Sequence, residues 1–213
     1  MNGSVPAQAA DELEGDLRSN DRMVTGRDAV VRAARLDLVS VGPAFVRAAL
    51  ERRIEDAERL AGVKLPAGWA DASESVLRYR LAQMERDPES RPWLLRLVVV
   101  RESGELAGYF NFHAPPGDRG WVEIGYQIEP QHRRRGYALE AVTTMVLWAA
   151  DRGVGRFRAS VGPWNEASLA MVRKLGFRRT GEQWDEIDGE EYVFEASLDE
   201  IRRPDSGSSM ATR

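Results

Sequence analysis

The sequence predicts an α/β architecture in which helices flank a mixed sheet that is parallel in part. Three extended apolar segments follow one another through short turns over 93–128, which is typical of consecutive antiparallel strands. A strand, a helix and a strand then succeed one another over 121–161, and this order favours a parallel strand pair. A hairpin pattern over 177–198, with Asp188-Gly189 at its turn, closes the predicted sheet.

The individual elements follow from apolar periodicity and from turn residues. In the first half they are a strand at Ala29–Val41 centred on Val30–Leu38, a helix at Pro43–Leu60, a loop at Gly62–Ala72 carrying Trp69, and a helix at Ser73–Arg86 with Ser73 as N-cap. In the second half they are strands at Trp93–Arg101, Leu106–His113 and Trp121–Ile128, a helix at Leu139–Asp151, a strand at Phe157–Val161, a helix from the N-cap Asn165 to Gly176, and strands at Phe177–Trp184 and Glu190–Leu198.

The composition indicates a globular protein and excludes several kinds of chemistry. The chain has 213 residues, of which 43% are hydrophobic and 30% are charged, and its net charge is −4. It has no cysteine, which excludes disulfides, thiolate metal ligands and a cysteine nucleophile. Two histidines, His113 and His132, are too few for a histidine-rich metal site, so we expect no metal. The net acidity argues against nucleic acid as the main partner.

The chain carries no pattern for membrane insertion or export. No apolar run approaches the ~20 residues that a membrane-spanning helix needs, and the N-terminus lacks the basic-then-apolar order of a signal peptide. We therefore expect a cytoplasmic protein without membrane contact. The polar and acidic residues 1–22 predict a disordered arm, 23–201 a single domain, and 202–213 a polar tail.

The turn at 131–138, Gln-His-Arg-Arg-Arg-Gly-Tyr-Ala, is predicted to bind an anion. It joins a strand to a helix, so its backbone N–H groups converge at the helix N-terminus, where the helix dipole also attracts negative charge. The arginines add positive charge that suits phosphates. A nucleic-acid patch is the rival interpretation. The position between strand and helix, the Gly136-x-Ala138 ending and the net acidity of the chain favour the phosphates of a cofactor.

Three signatures in order identify a family resemblance. They are Glu123-Ile-Gly-Tyr126, then Arg133-x-x-Gly136-x-Ala138, then Asn165-x-x-Ser168 followed by Lys174-Leu-Gly-Phe177. Together they resemble the GNAT superfamily of acyl-CoA N-acyltransferases, and most its RimJ/RimL-type branch. The resemblance is specific over 106–177. It implies a GNAT-like, mostly antiparallel sheet with a central splayed parallel strand pair, acetyl-CoA as the cofactor and an amine as the acceptor.

The resemblance also implies which residues bind acetyl-CoA. The pantetheine arm is expected to pair with strand backbone near Gln127 and Ile128, and Asn165 is expected to hydrogen-bond it or its surroundings. Arg133 opens the pyrophosphate motif. The amides expected to hold the pyrophosphate are those of Arg134, Arg135, Gly136, Tyr137 and Ala138.

Direct acetylation of an amine requires a base for the amine and benefits from an acid for the leaving thiolate. The resemblance points to Glu123 as the general base, acting through one water; the alternative is a carboxylate with a structural partner. Many relatives carry the acid as a tyrosine at the position held here by Val172. The residues considered as substitutes are Ser168, Tyr126 and Tyr137, with solvent as the further alternative.

The sequence identifies the residues that contact the amine acceptor less clearly than those that bind acetyl-CoA. His113, at the end of its strand, and Asn111, on the same strand face, are predicted to face the acceptor, although a lone histidine is often structural. Trp69, Trp164 and Trp184 either line the acceptor pocket or pack the core. Asp185, Glu186 and Asp188 form an acidic patch that would attract a cationic amine, or a solvated turn.

Two functions from different classes therefore stay open. The first is an N-acetyltransferase that acts by direct attack on acetyl-CoA. The second is a non-catalytic acyl-CoA-binding or sensor module, which the valine at position 172 suggests. An RNA-associated role rests only on the arginine run. The acceptor can be a protein N-terminal amine, an internal lysine, or a small amine or antibiotic, and the chain can be a monomer or a homodimer.

Overall fold

One eight-stranded sheet organises the residues that the computed structural model describes, which are 29–186 and 189–202. The strands are β1 (Val30–Arg32), β2 (Leu36–Ser40), β3 (Arg96–Val100), β4 (Leu106–Phe112), β5 (Trp121–Ile128), β6 (Arg156–Val161), β7 (Arg178–Asp185) and β8 (Gly189–Ser197). Their spatial order is β1-β2-β3-β4-β5-β6-β8-β7. β5 and β6 run parallel and the other neighbours run antiparallel, which confirms the predicted mixed sheet.

Helices cover both faces of this sheet. They are α1 (Pro43–Leu50), α2 (Ile54–Ala61), α3 (Trp69–Ala72), α4 (Glu74–Arg86), α5 (Tyr137–Ala150), α6 (Glu166–Lys174) and α7 (Leu198–Arg202). In β3, Val98 packs into the core on the α5 face, whereas Leu97 and Val99 pack into a second core on the α1 and α4 face. All five β3 residues are buried for this reason. Among the described helices, none combines the length and apolar character needed to cross a membrane.

The parallel strand pair separates after three residues. β5 pairs with β6 only from Trp121 to Glu123. Beyond Glu123, β5 continues alongside β4, while β6 from Ala159 to Val161 continues alongside β8. The sheet therefore divides into two leaves that diverge at Glu123, as the splayed pair was predicted to do.

The N-terminal elements differ from the sequence prediction. The predicted single strand at Ala29–Val41 is a hairpin of β1 and β2, in which Arg32 pairs with Asp37. The predicted helix at Pro43–Leu60 is two helices, because the backbone turns at Arg52, whose φ is 61°. The Arg52 guanidinium donates to the carbonyl of Leu50 at 3.0 Å and so caps α1.

Three further elements differ from the prediction, and the predicted N-cap Ser73 is confirmed in position only. The predicted loop with Trp69 contains α3, and Trp69 is buried 6.1 Å from the ring of Phe45. β3 begins at Arg96 rather than Trp93, because a 3-10 helix at Pro88–Trp93 precedes it. Ser73 holds the N-cap position of α4 without a capping hydrogen bond from its side chain. α7 was not predicted. The arm at 1–22, most of the tail at 202–213 and Asp188 lie outside the described residues.

Candidate active site

A cleft of about 660 Å³ opens where the two leaves of the sheet diverge. Its inner half lies between β5, β6 and α6, and its lining includes Tyr126, Ser160, Asn165 and Ser168. Its outer half lies between α4 and the end of β4, and its lining includes Arg80, Tyr109, Asn111 and His113. Glu123 is the last residue of β5 that pairs with β6, so its carboxylate marks the fork.

The β5 backbone presents hydrogen-bonding groups to the inner half. The amide of His113 donates to the carbonyl of Glu123 at 2.8 Å, and the amide of Glu129 donates to the carbonyl of Ala107 at 2.9 Å. Alternation along an antiparallel ladder then directs the backbone groups of Gln127 toward β4 and those of Tyr126 toward the cleft. A chain lying in the cleft would thus meet the backbone of Tyr126 rather than that of Gln127.

The turn at 131–138 is held in place from both sides. The Nε of Arg133 donates to the carbonyl of Ile128 at 2.9 Å. Arg35, in the turn between β1 and β2, donates through Nη1 to the carbonyl of Arg135 at 3.1 Å. Arg35 also forms an ion pair with Glu140 of α5 at 2.7 Å. These contacts orient the turn and leave the side chain of Arg135 exposed.

The α5 N-terminus has the geometry of an anion site. Gly136 is its N-cap, with a φ of 81°, and provides no side chain to cap the first amides. Arg134 also has a positive φ of 61°. Both residues bend the backbone so that it enters the helix directly after the arginine run, which favours an anion at these amides. Tyr137 is buried beneath the guanidinium of Arg35, 4.8 Å from it, and is outside the cleft lining.

Glu123 lies within a polar network that joins three strands. The hydroxyl of Ser160 on β6 donates to Glu123 Oε1 at 2.5 Å. The Nδ1 atom of His113 lies 3.9 Å from the same oxygen, and the Nε atom of Arg158 lies 3.8 Å from Oε2. Only 14% of the Glu123 side chain is exposed. The hydrogen bond from Ser160 therefore holds the carboxylate at the fork, and His113 and Arg158 lie beside it beyond hydrogen-bond distance.

Side chains from β7 and β8 hold Ser160 in turn. The amide nitrogen of the Gln183 side chain donates to Ser160 Oγ at 3.1 Å and to Glu191 Oε2 at 2.9 Å. The Arg158 guanidinium donates to the Gln183 carbonyl oxygen. Sequence reasoning missed Ser160, Gln183 and Glu191, because their strands meet β5 only through pairing across the sheet.

His113 is in its neutral form near neutral pH. Burial lowers the pKa of its imidazole below the ordinary value; Glu123 opposes this shift and Arg80 adds to it. The His113 carbonyl accepts hydrogen bonds from Arg80 Nη1 at 3.0 Å and from Gln83 Nε2 at 2.8 Å. Protein atoms packed around the ring remove part of its hydration even though 48% of the side chain is exposed, and the side chain both approaches Glu123 and lines the outer half of the cleft.

Gly125 allows two side chains to cover β5. A Cβ atom at this position would lie 2.7 Å from Asn111 Nδ2 and 2.9 Å from His113 Nε2. Both distances are shorter than real Cβ contacts permit, so a side chain at this position would have to displace the ends of Asn111 and His113, whereas glycine lets them approach β5 closely. The signature Glu123-Ile-Gly-Tyr126 thus contains a residue that shapes the outer half of the cleft.

Replacing Gly125 with alanine is expected to displace Asn111 and His113 and to lower the free energy of unfolding by about 1 kcal/mol. Because burial is the largest cause of the low pKa of His113, a displaced and better hydrated ring should titrate at higher pH. Denaturant titration and NMR titration of the imidazole measure the two effects. Gly181→Ala is the matched control, since a Cβ there meets nothing within 4 Å. Equal behaviour of the two variants would contradict the packing argument.

Two hydroxyl groups lie near the valine that replaces the expected tyrosine. The Tyr126 hydroxyl and Ser168 Oγ are hydrogen-bonded at 2.8 Å. Ser168 lies one helical turn before Val172 on α6, and all three residues line the cleft. Burial raises the pKa of the Tyr126 phenol above its ordinary value, and the hydrogen bond with Ser168 opposes the shift. The phenol therefore keeps its proton at neutral pH. The prediction of Asn165 as N-cap is confirmed, because its Oδ1 accepts from the Ser168 amide at 3.1 Å.

The three candidate tryptophans lie in three different environments. Trp164 is 72% exposed and lines the cleft beside Gly162. Trp184 is 78% exposed and is outside the cleft lining, whereas Trp69 belongs to the core. Asp185 of the predicted acidic patch lines the cleft.

Comparison with known proteins relates this geometry to one family. A family model described as an acetyltransferase (GNAT) domain matches residues 46–178. The uncharacterized N-acetyltransferase YoaA of Bacillus subtilis is 38% identical over 85 residues, which are 39% of this chain and 48% of that protein. The chain spans about half the length of the first curated relatives it matches.

Solved structures share the fold at low sequence identity. RimL, a ribosomal L7/L12 alpha-N-protein acetyltransferase, superposes with a TM-score of 0.55 at 16% identity, over 79% of this chain and 94% of that one. The microcin C7 self-immunity acetyltransferase MccE, solved in complex with acetyl-CoA and AMP, superposes with a TM-score of 0.54 at 15% identity, over 78% and 93% of the two chains. Both likenesses concern the fold alone.

Proposed function

Because the chain belongs to the acetyltransferase (GNAT) family, we propose that it transfers an acetyl group from acetyl-CoA to the nitrogen of an amine. The observation that carries the proposal is the fork of β5 and β6, which opens a cleft lined by Ser160 and His113, the two residues that lie against the Glu123 carboxylate. The same strand leads directly into the turn at 131–138 and the uncapped start of α5. The fork would thus offer a place for the acetyl thioester, and the start of α5 a place for a diphosphate.

Acetyl-CoA fits this surface as a substrate. The amides of residues 134–138 would bind its pyrophosphate, and Gly136 would let the backbone approach closely. The pantetheine arm would pair with the backbone of Tyr126, while Ile128, whose carbonyl already accepts from Arg133, would contribute its amide. Asn165 has its side-chain oxygen engaged with the Ser168 amide, so its Nδ2 is the group that would donate to the arm.

The chemistry requires two proton transfers. Acetyl-CoA supplies the activated acetyl group; a C–N bond forms and the C–S bond breaks. Glu123 would accept the amine proton through one water, and its fixed position between Ser160 and His113 would limit reorganisation. His113, neutral near pH 7, is the alternate base. Tyr126, hydrogen-bonded to Ser168, would donate a proton to the departing sulfur.

A non-catalytic acyl-CoA-binding module is the second candidate. One observation favours it: Val172 is buried at the position where many relatives carry a tyrosine acid. The polar network around Glu123 argues for the enzyme, because binding a thioester does not require a fixed carboxylate at the fork. The acceptor class, the predicted cytoplasmic location and the monomeric or homodimeric state stay predictions.

The proposal is tested by measuring thiol release from acetyl-CoA with a panel of amines that covers free amino acids, peptides with a free N-terminus, lysine side chains and aminoglycosides. We expect turnover with at least one class and saturable binding of acetyl-CoA in calorimetry. Binding without acetylation of any amine would support the sensor module and reject the enzyme. Failure to bind acetyl-CoA would reject both.

A further inference from the structure

Arg80 is a buried cation that no carboxylate pairs with among the described residues. It lies on the apolar stripe of α4 between Leu77 and Met84, and only 4% of its surface is exposed. Its Nη1 atom donates to Gln83 Oε1 at 2.6 Å and to the His113 carbonyl at 3.0 Å. Its Nε atom is buried without a hydrogen-bond partner. Both acceptors are neutral and the guanidinium carbon lies 5.0 Å over the ring of Tyr79, so among the described residues no carboxylate balances the positive charge.

An uncompensated guanidinium in this position is costly. Burial lowers the pKa of Arg80 to about 10, and the groups that oppose this shift are the phenols of Tyr79 and Tyr109. Arg80 stays charged at neutral pH, and a buried charge is normally paired. Its neighbour Arg78 shows the usual arrangement, because it is exposed and forms an ion pair with Glu74 at 2.8 Å. The free energy lost by burying Arg80 unpaired would be regained when an anion binds.

The surroundings of Arg80 place that anion in the outer half of the cleft. Arg80 lines the cleft together with Asn111, whose Nδ2 atom is a second buried donor without a partner. His113 joins this region to the fork, since its carbonyl accepts from Arg80 while its ring approaches Glu123 at 3.9 Å. Asp185 also lines the cleft and acts on the His113 imidazole. The cleft is thus cationic at Arg80 and anionic toward the fork.

We propose that Arg80 binds a carboxylate of the acceptor, so that the acceptor is a free amino acid whose amine then faces Glu123. This inference rests on the proposed acetyl transfer and names the substrate class of the same site. A guanidinium matches a carboxylate through paired hydrogen bonds, and the partnerless Nε makes one such donor available. Asn111 Nδ2 supplies a further donor. A peptide N-terminus offers an amide carbonyl at the corresponding position and would leave the charge of Arg80 unpaired.

The first experiment uses the whole chain and compares the twenty L-amino acids with their carboxamides. Both series present an α-amine, and they differ in the negative charge that Arg80 would bind. We expect kcat/KM for the best free amino acid to exceed that of its carboxamide, and that of a tripeptide with the same N-terminal residue, roughly 100-fold. Equal or better acetylation of the carboxamide or the tripeptide would overturn the inference while leaving the acetyltransferase proposal intact.

The second experiment replaces Arg80. Arg80→Gln should raise KM for the free amino acid roughly 100-fold, leave KM for acetyl-CoA unchanged and leave the carboxamide unaffected. Arg80→Lys should restore part of the affinity, because it keeps the charge and loses the paired geometry. Arg78→Gln is the matched control on the same helix, and we expect no change. An equal rise in KM for acid and carboxamide would indicate a merely structural role and overturn the inference.

A binding measurement separates this inference from the proposed function. Calorimetry of the CoA-loaded protein with the same amino acids does not need turnover. Binding of a free amino acid that is lost in Arg80→Gln supports the carboxylate site even when no amine is acetylated, in which case the enzyme proposal alone fails. Absence of binding by every free amino acid, together with acetylation of a peptide, overturns the inference alone. Absence of both overturns the two together.

Discussion

Replacing Glu123 with glutamine is expected to lower kcat roughly 100-fold or more, with KM for acetyl-CoA unchanged. Glutamine is nearly isosteric and can still accept the hydrogen bond from Ser160, so the fork should keep its shape. It cannot take a proton from the amine. The loss should therefore fall on the chemical step and leave cofactor binding intact, which steady-state kinetics and calorimetry measure separately.

Two companion variants decide whether Glu123 itself is the base. Glu195→Gln changes an exposed glutamate on β8 and should behave as wild type. His113→Gln should cost less than Glu123→Gln. Since Glu123 raises the pKa of His113 against the effect of burial, removing the carboxylate should move the His113 titration to lower pH. Near-normal kcat in Glu123→Gln, with the larger loss in His113→Gln, would assign the base to the histidine.

Replacing Tyr126 with phenylalanine is expected to lower kcat about 10-fold to 100-fold, which is at or below the lower limit of the usual range for acid catalysis. The effect is smaller than for the base because a thiolate, with an ordinary pKa of ~8.5, is already a fair leaving group. Because burial raises the pKa of Tyr126, the wild-type phenol should stay protonated to at least its ordinary pKa of ~10. No fall in kcat attributable to this group should occur below that pH.

The hydrogen bond between Tyr126 and Ser168 makes their contributions interdependent. Ser168→Ala should lower kcat less than Tyr126→Phe, and the double variant should lose less than the product of the two single losses. Tyr192→Phe, on β8 and outside the cleft lining, is the matched control. Full activity in both single variants would mean that solvent protonates the thiolate, and the proposed role of the pair would then be rejected.

The elements that sequence reasoning located correctly are those with a complete local signal. The strand Trp121–Ile128 was predicted with its observed bounds, and the hairpin around Gly189 and the Asn165 N-cap are confirmed. The N-terminal half was predicted less well. The turn between β1 and β2 contains neither glycine nor proline, and it is held instead by long-range contacts of Arg35 with Glu140. The break at Arg52 similarly depends on its ion pair with Glu74 in α4.

Arg80 occupies a position in the sequence where a charged residue is unusual. Its spacing from Leu77 and Met84 placed a cation within the apolar stripe of a predicted helix. That position predicts a buried charge, but the apolar periodicity of a helix does not indicate whether a carboxylate lies nearby. The contacts in the folded chain show that Arg80 donates to two neutral acceptors, and for this reason it is proposed as a binding group.

The amino-acid sequence alone specified the family, the strand order around the fork and the position of the turn at 131–138 that is predicted to bind an anion. These features depend on residues close together in the chain, where propensity, glycine placement and helix-dipole effects act locally. The folded chain was needed to identify the proposed proton-transfer partners and the outer half of the cleft. Ser160 lies 37 residues from Glu123, Ser168 lies 42 from Tyr126, and His113 lies 33 from Arg80. Such pairs meet only when the sheet and its covering helices have packed, because no local spacing rule relates their positions.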